Sequence, residues 1–280
     1  MQSPSKFLKR GKRLMLLGFA LSLTAAIVPT VTTSASATTG VKSDHPNVKP
    51  TVVLVHGAWA DGSSWNGVVS RLQHDGYTVD VPPNPLRGVA GDSAYLASYL
   101  KTVAGPIVLV GHSYGGFVIT NAAAGNTNVK ALVYVNAYIP AAGDTLNGLT
   151  AQFPGSQVGP DALNFVPSAD GVVDAYIKPA MFRSILANDL SAGRAAVLAA
   201  DQRPLAASAL TEPSGTPAWA GIPSWDLIGT ADHALPAAAQ EFMAKRARAT
   251  VTKINASHLS MISHPNIVDD VIEDAARHTS

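Results

Sequence analysis

Ile107-Val108-Leu109-Val110 runs without a polar break into Gly111-His112-Ser113-Tyr114-Gly115-Gly116. Four consecutive apolar residues read as a strand buried on both faces. A helix is expected to follow directly, from Tyr114 to about Ala124. Between the two lies Gly-x-Ser-x-Gly. Glycines two residues either side of Ser113 let the backbone turn back on itself, which lifts the serine above the strand end. The pattern alone is weak, because a tight strand–helix turn in which the serine only caps the helix reads the same way. The strand before it and the helix after it are what favour a nucleophile.

The same rhythm extends in both directions. Upstream, Thr51-Val52-Val53-Leu54-Val55 is an apolar strand. Trp65, Val68, Val69 and Leu72 mark a helix over 63–74 that Gly76 stops. A second strand is expected at 77–81, ended by Pro82 and Pro83. Asp92 or Ser93 can cap a further helix carrying Tyr95, Leu96, Tyr99 and Leu100. Downstream, strands are expected at 131–135, 224–228 and 250–254, with helices at 237–247 and 267–276. Strand–helix units with apolar strands predict an α/β architecture: a mostly parallel sheet with helices on both faces. The alternation breaks over 138–217, which is punctuated by Gly and Pro and shows no clear strand. Helical stretches around 172–190 and 192–200 make it a helical cap inserted after the fourth strand. The core is then 50–137 plus 218–280. Ligands of open parallel sheets bind beyond the carboxyl ends of the strands, so such a cap would roof the site.

The first 37 of the 280 residues stand apart. Lys6, Lys9, Arg10, Lys12 and Arg13 precede an uncharged apolar run over 14–28, then Pro29 and small residues ending in Ala35-Ser36-Ala37. This is the pattern of a secretory signal peptide cut after about Ala37. The run is shorter than the roughly 20 residues a membrane span needs, so no stable membrane anchor is expected and the protein is read as secreted. Residues 38–49 read as a disordered leader. Five of the 20 Lys and Arg lie in the signal and none of the 19 acids does, so the remainder carries an excess of four negative charges. Without a basic cluster there is no electrostatic case for nucleic acid as a partner. The chain has no cysteine, so stability rests on the core.

A serine hydroxyl needs a base within hydrogen-bond reach. His258 follows the last strand and so lies at the sheet edge that carries Ser113; His264 more naturally opens the final helix, and His112 would be held by packing. The acid must also sit past a strand end. Asp232, in Gly229-Thr230-Ala231-Asp232-His233, completes the chain order Ser, Asp, His. Asp144 is the alternative acid, and Asp226 is disfavoured because it lies inside a strand, where a carboxylate is costly. Oxyanion donors are expected from the N–H groups of Tyr114 and of Ala58, in the loop after the first strand. Trp59, Met181 and Phe182 are candidate substrate-pocket residues.

His56-Gly57-Ala58-Trp59, the spacing to Ser64-Trp65, Gly111-His112-Ser113-Tyr114-Gly115-Gly116 and the closing Asp232 and His258 resemble the α/β-hydrolase superfamily. They are most similar to small bacterial esterase-like proteins related to plant methyl-ester esterases and hydroxynitrile lyases. The resemblance spans residues 51 to about 276, weakly in the cap. It implies the α/β-hydrolase fold and a site free of cofactor and metal. Lyases of this type carry Thr after the first-strand His and Lys after the catalytic His; here Gly57 and Leu259 stand there, which favours the esterase branch. The expected function is a serine hydrolase acting on a small to medium apolar carboxylic ester. The alternatives are a ligand-binding protein with slow or no turnover, or lyase, oxygenase or perhydrolase chemistry on the same residues.

Overall fold

The computed structural model describes residues 49–169 and 171–279. The signal peptide expected over 1–37 and nearly all of the leader to 49 lie outside the described residues. In chain order the first half of the core is β1 (Thr51–Val55), α1 (Asn66–His74), β2 (Val79–Asp80), α2 (Val89–Leu100), β3 (Ile107–His112), α3 (Gly115–Ala122) and β4 (Val129–Val135). The insertion holds α4 (Leu146–Ala151), β5 (Leu163–Pro167), β6 (Val173–Ile177), α5 (Pro179–Leu186), α6 (Ala192–Asp201) and β7 (Leu205–Ala206). The core closes with β8 (Ser224–Gly229), α7 (Ala237–Ala247), β9 (Thr250–Ile254), α8 (Ser260–Ser263) and α9 (Pro265–Arg277). No helix among the described residues is long and apolar enough to cross a membrane.

The six core strands lie in the order β2-β1-β3-β4-β8-β9, every neighbour parallel. From β1 the chain steps outward to β2, then crosses back over β1 to β3 and continues the other way. Right-handed crossovers therefore put α1 on one face and α2, α3 and α7 on the other. α9 packs on α1, and α2 on α3, closing both layers. The reversal falls between β1 and β3, the position at which open sheets bind ligands. It is the point where the loop after β1 meets the turn after β3. The central strands are buried along their length, with Val52 to Leu54, Ile107 to Val110 and Ala131 to Val135 all fully enclosed. The expected strand at 77–81 pairs only over Val79–Asp80; it is the sheet edge, where a short strand followed by prolines limits further pairing.

Two expectations need correction. The insertion follows β4 and carries helices, but it also contains a three-stranded antiparallel sheet, β5-β6-β7. β6 occupies the start of the stretch 172–190 that was expected to be helical. The helix α5 begins only at Pro179, its first residue. Proline keeps the residue before it out of the helical region, so Lys178 stays extended and the chain upstream is free to pair. Helix α2 also starts at Val89, earlier than a cap at Asp92 or Ser93 would allow. Its first N–H groups are instead taken by Glu212 from the cap: Oε2 accepts from Val89 at 2.7 Å and Oε1 from Ala90 at 2.9 Å. A carboxylate there also suits the positive end of the helix dipole.

Candidate active site

Ser113 sits between β3 and α3 with φ of 52°, a left-handed conformation for a residue with a side chain. The turn is tight enough that a Cβ on Gly111 would stand 2.7 Å from the carbonyl oxygen of Gly115. Three further hydrogen bonds pin it: Ser113 N–H to Val135, Gly116 N–H to Ser113 and Tyr138 N–H to Ser113. The serine hydroxyl consequently stands at the carboxyl ends of the strands, where the loops after β8 and β9 converge.

Those loops bring Asp232 and His258. His258 Nε2 lies 2.8 Å from Ser113 Oγ, and Nδ1 lies 2.7 Å from Asp232 Oδ2. All three residues are buried. Asp232 Oδ1 accepts from the N–H groups of Ala234 and Leu235, each at 2.8 Å, while Oδ2 also accepts from Asn136 Nδ2 and Gln240 Nε2. A carboxylate surrounded by donors can only accept, so His258 carries its proton on Nδ1. Nε2 is left as an acceptor for the serine hydroxyl.

The other histidines take structural places. His112 is fully buried and donates from Nε2 to the carbonyl of His258 at 3.0 Å. Burial, aided by the neighbouring His258 and His56, pushes its pKa well below the ordinary range, so it supports the histidine loop as a neutral ring. His56 donates from Nδ1 to Gly57 O, and its Nε2 accepts from Asn84 N–H. Burial lowers its pKa too. It thereby fixes the loop that carries Ala58. His264 caps α9 and bonds Ser263 Oγ. Asp144 is engaged elsewhere, paired with Arg246 at 2.6 Å and accepting from Ala141 N–H. Asp226 is fully buried within β8 with neither carboxyl oxygen hydrogen-bonded.

Ala58 and Tyr114 line the same small cavity as Ser113 and His258. Among the described residues neither backbone N–H is given to another acceptor. Tyr114 is held by its hydroxyl, which donates to Asp92 Oδ2 at 2.7 Å. Burial raises the Asp92 carboxyl and the Tyr114 phenol alike. On the Ala58 side, Gly57 is obligatory: a Cβ there would lie 2.7 Å from Ser113 Cβ and 2.8 Å from His112 O. A threonine at that position has no room. Trp59 borders the cavity, with its N–H on Arg203 O and its indole N–H on Ala175 O. Met181 and Phe182 do not border it. Phe182 is 1% exposed and faces a separate cleft with Leu198 and Leu259, and Met181 packs against the hydrophobic core.

Sequence reasoning missed Asn136, Gln240 and Asp189. Asn136, with φ of 46°, ends β4 and ties Asp232 to the histidine loop by donating to Ser257 O and accepting from Ser260 Oγ. Its place one residue past a buried strand was a usable signal. Asp189, from the cap, accepts from Ser257 N–H at 2.9 Å, Ser257 Oγ at 2.5 Å and Ser263 Oγ at 2.8 Å. Burial works to raise its carboxyl, but these donors outweigh it and hold the pKa below the ordinary value. Nothing in the local sequence marks it. No group of three or more His, Cys, Asp or Glu is placed to hold a metal ion among the described residues.

A parallel sheet with a serine at the tight turn after its third strand, an acid and a histidine past two later strand ends, and an insertion between β4 and β8 define the α/β-hydrolase architecture. Residues 52–271 match the model of the alpha/beta hydrolase family, and the chain belongs to that family. It is similar to a carbendazim hydrolyzing esterase from Nocardioides, 34% identical over 110 residues; the match covers 35% of this chain and 46%, about half, of that protein's length. It is also similar to a pyrethroid hydrolase from Sphingobium wenxiniae, 27% identical over 249 residues, covering 80% of this chain and 87% of the other. Among solved structures, polyneuridine aldehyde esterase superposes with a TM-score of 0.69 at 16% identity, over 81% of this chain and 99% of that one. That likeness is one of fold.

Proposed function

We propose that this protein is a serine esterase that hydrolyses an apolar carboxylic ester through Ser113, His258 and Asp232. The observation that carries the reading is the unbroken relay of 2.8 Å and 2.7 Å from Ser113 Oγ through the imidazole to a five-donor carboxylate. Ser113 Oγ attacks the ester carbonyl carbon and passes its proton to His258 Nε2. The carbonyl oxygen takes the negative charge and accepts from the N–H groups of Ala58 and Tyr114. Collapse breaks the bond to the alcohol oxygen, which leaves with the proton from Nε2. Water, deprotonated in turn by His258, then releases the acid and restores the serine. Asp232 holds the imidazole in the required tautomer and stabilises its cation. The names of the carbendazim and pyrethroid relatives support hydrolysis as the reaction class.

Mature protein treated with a small fluorophosphonate should be labelled at Ser113, and Ser113→Ala should abolish both labelling and ester turnover. Full ester hydrolysis by Ser113→Ala would refute the mechanism. Labelling without turnover of any ester would instead support the ligand-binding alternative. The basic, apolar and Ala-x-Ala segments at the start of the chain support export, with cleavage after about Ala37. The mature protein recovered from culture medium should therefore begin near Thr38; full-length protein retained in the cell would refute export.

A further inference from the structure

Ser113 faces very little free space. The cavity it shares with His258 is small, about 40 Å³, where a single bound water takes up roughly 10–15 Å³. Two of its sides are bonded in place by the cap. On the oxyanion side Trp59 is held to Arg203 O and Ala175 O; on the histidine side Asp189 and Leu186 O hold the loop of Ser257 and Leu259. A third side differs. Asn147, Thr150, Val158 and Leu210 form a wall that this cavity has in common with a second chamber of about 480 Å³. That chamber is lined by residues of α4 and β5 and of the loop between them, chiefly apolar side chains, among them Phe153 and the half-exposed Phe165.

Resting on the esterase reading above, we infer that the substrate is a strongly asymmetric ester. One arm of one or two carbons fits beside Ser113, and a long or aryl-bearing apolar arm lies in the chamber beyond Val158 and Leu210. The chamber carries no charged side chain, so a neutral arm is selected over an ionised one. Size explains the asymmetry. A second bulky arm would have to displace Trp59 or the histidine loop, each fixed by hydrogen bonds that the catalytic geometry depends on.

Four esters test this: methyl acetate, benzyl acetate, methyl phenylacetate and benzyl phenylacetate. One of the two single-aryl esters should exceed methyl acetate in kcat/KM by at least about tenfold, the scale set by burying one aromatic group. Benzyl phenylacetate should fall at least about tenfold below that better ester, the scale on which a pocket discriminates by fit. Gly159 offers a plug. It lines the chamber, its backbone is extended at φ −145°, and a Cβ there meets nothing within 4 Å. Gly159→Trp therefore adds a large side chain at the chamber wall without backbone strain and should cut the aryl-over-methyl preference by about tenfold. Phe165→Ala, at an exposed position that folding tolerates, should move the preference the same way. Equal turnover of the doubly aryl ester, or an unchanged preference in Gly159→Trp, overturns the inference. Failure of the fluorophosphonate to label Ser113 sinks the esterase reading itself, whereas labelling with no aryl preference sinks only the chamber.

Discussion

Asp226 offers a test in which structure, charge and pH can be separated. It is fully buried in β8, in register with Tyr134 of β4 and Val251 of β9, and neither carboxyl oxygen finds a partner. Desolvation raises its pKa well above the ordinary value, so the folded protein keeps the proton to higher pH than the unfolded chain does. Even neutral, a buried polar group without a hydrogen bond costs about 1–3 kcal/mol. Asp226→Val supplies a β-branched residue suited to a strand and should recover most of that. A change of 1 kcal/mol moves the melting temperature of a domain this size by about 2–4 °C, so a rise of roughly 2–10 °C is expected. The gain should grow with pH. Below about pH 4 the group is protonated in both folded and unfolded chains and adds no pH dependence. Above that the unfolded chain ionises while the folded one keeps its proton, so the unfolded state gains and wild-type stability falls until pH passes the raised folded value. Calorimetry of wild type, Asp226→Val and Asp226→Asn from pH 4 to 9 reads this directly. Asp226→Asn should abolish the pH-dependent widening while keeping part of the constant cost. A valine variant less stable than wild type, or a difference in melting temperature flat across that range, would refute the reasoning.

Other substitutions probe the site itself. Asp232→Asn presents an NH₂ group to at least one of the donors now on the carboxylate, which drives His258 toward the tautomer that cannot accept from Ser113; kcat should drop about 10³–10⁴-fold with fluorophosphonate labelling slowed in parallel. Gly57→Thr should drive Ser113 and His112 out of position, since even a bare Cβ approaches Ser113 Cβ to 2.7 Å; esterase activity should be lost, not exchanged for lyase activity, when both are assayed. Asp189→Ala frees Ser257 and Ser263 and leaves the Ser257 N–H without its acceptor, which should cost about 1–3 kcal/mol and lower kcat more than it changes KM. An Asp189→Ala enzyme with wild-type kcat would show that the cap does not position His258.

Much of this protein could be read along the chain. The parallel sheet follows from apolar runs such as 107–110 and 131–135, whose neighbours in sequence already require burial on both faces. Ser113 is legible because the features that expose it, a strand, a tight turn and a helix, are consecutive. His258 and Asp232 follow because a parallel sheet delivers every strand's far end to one edge, so chain order stands in for position. The tertiary structure alone decided the rest. β5 and β6 are short, Pro167 ends one of them, and much of β5 is exposed; such strands are defined by the partner they pair with more than by their own pattern. Asn136, Gln240 and Asp189 reach the site from positions 136, 240 and 189, and no local spacing predicts that three distant polar side chains converge on two loops. Phe182 read as pocket-forming because it is large and apolar, yet burial in the hydrophobic core away from Ser113 satisfies the same demand. The division between a tight cavity at Ser113 and a wide chamber beyond Leu210 is likewise a matter of which walls the folded chain brings face to face.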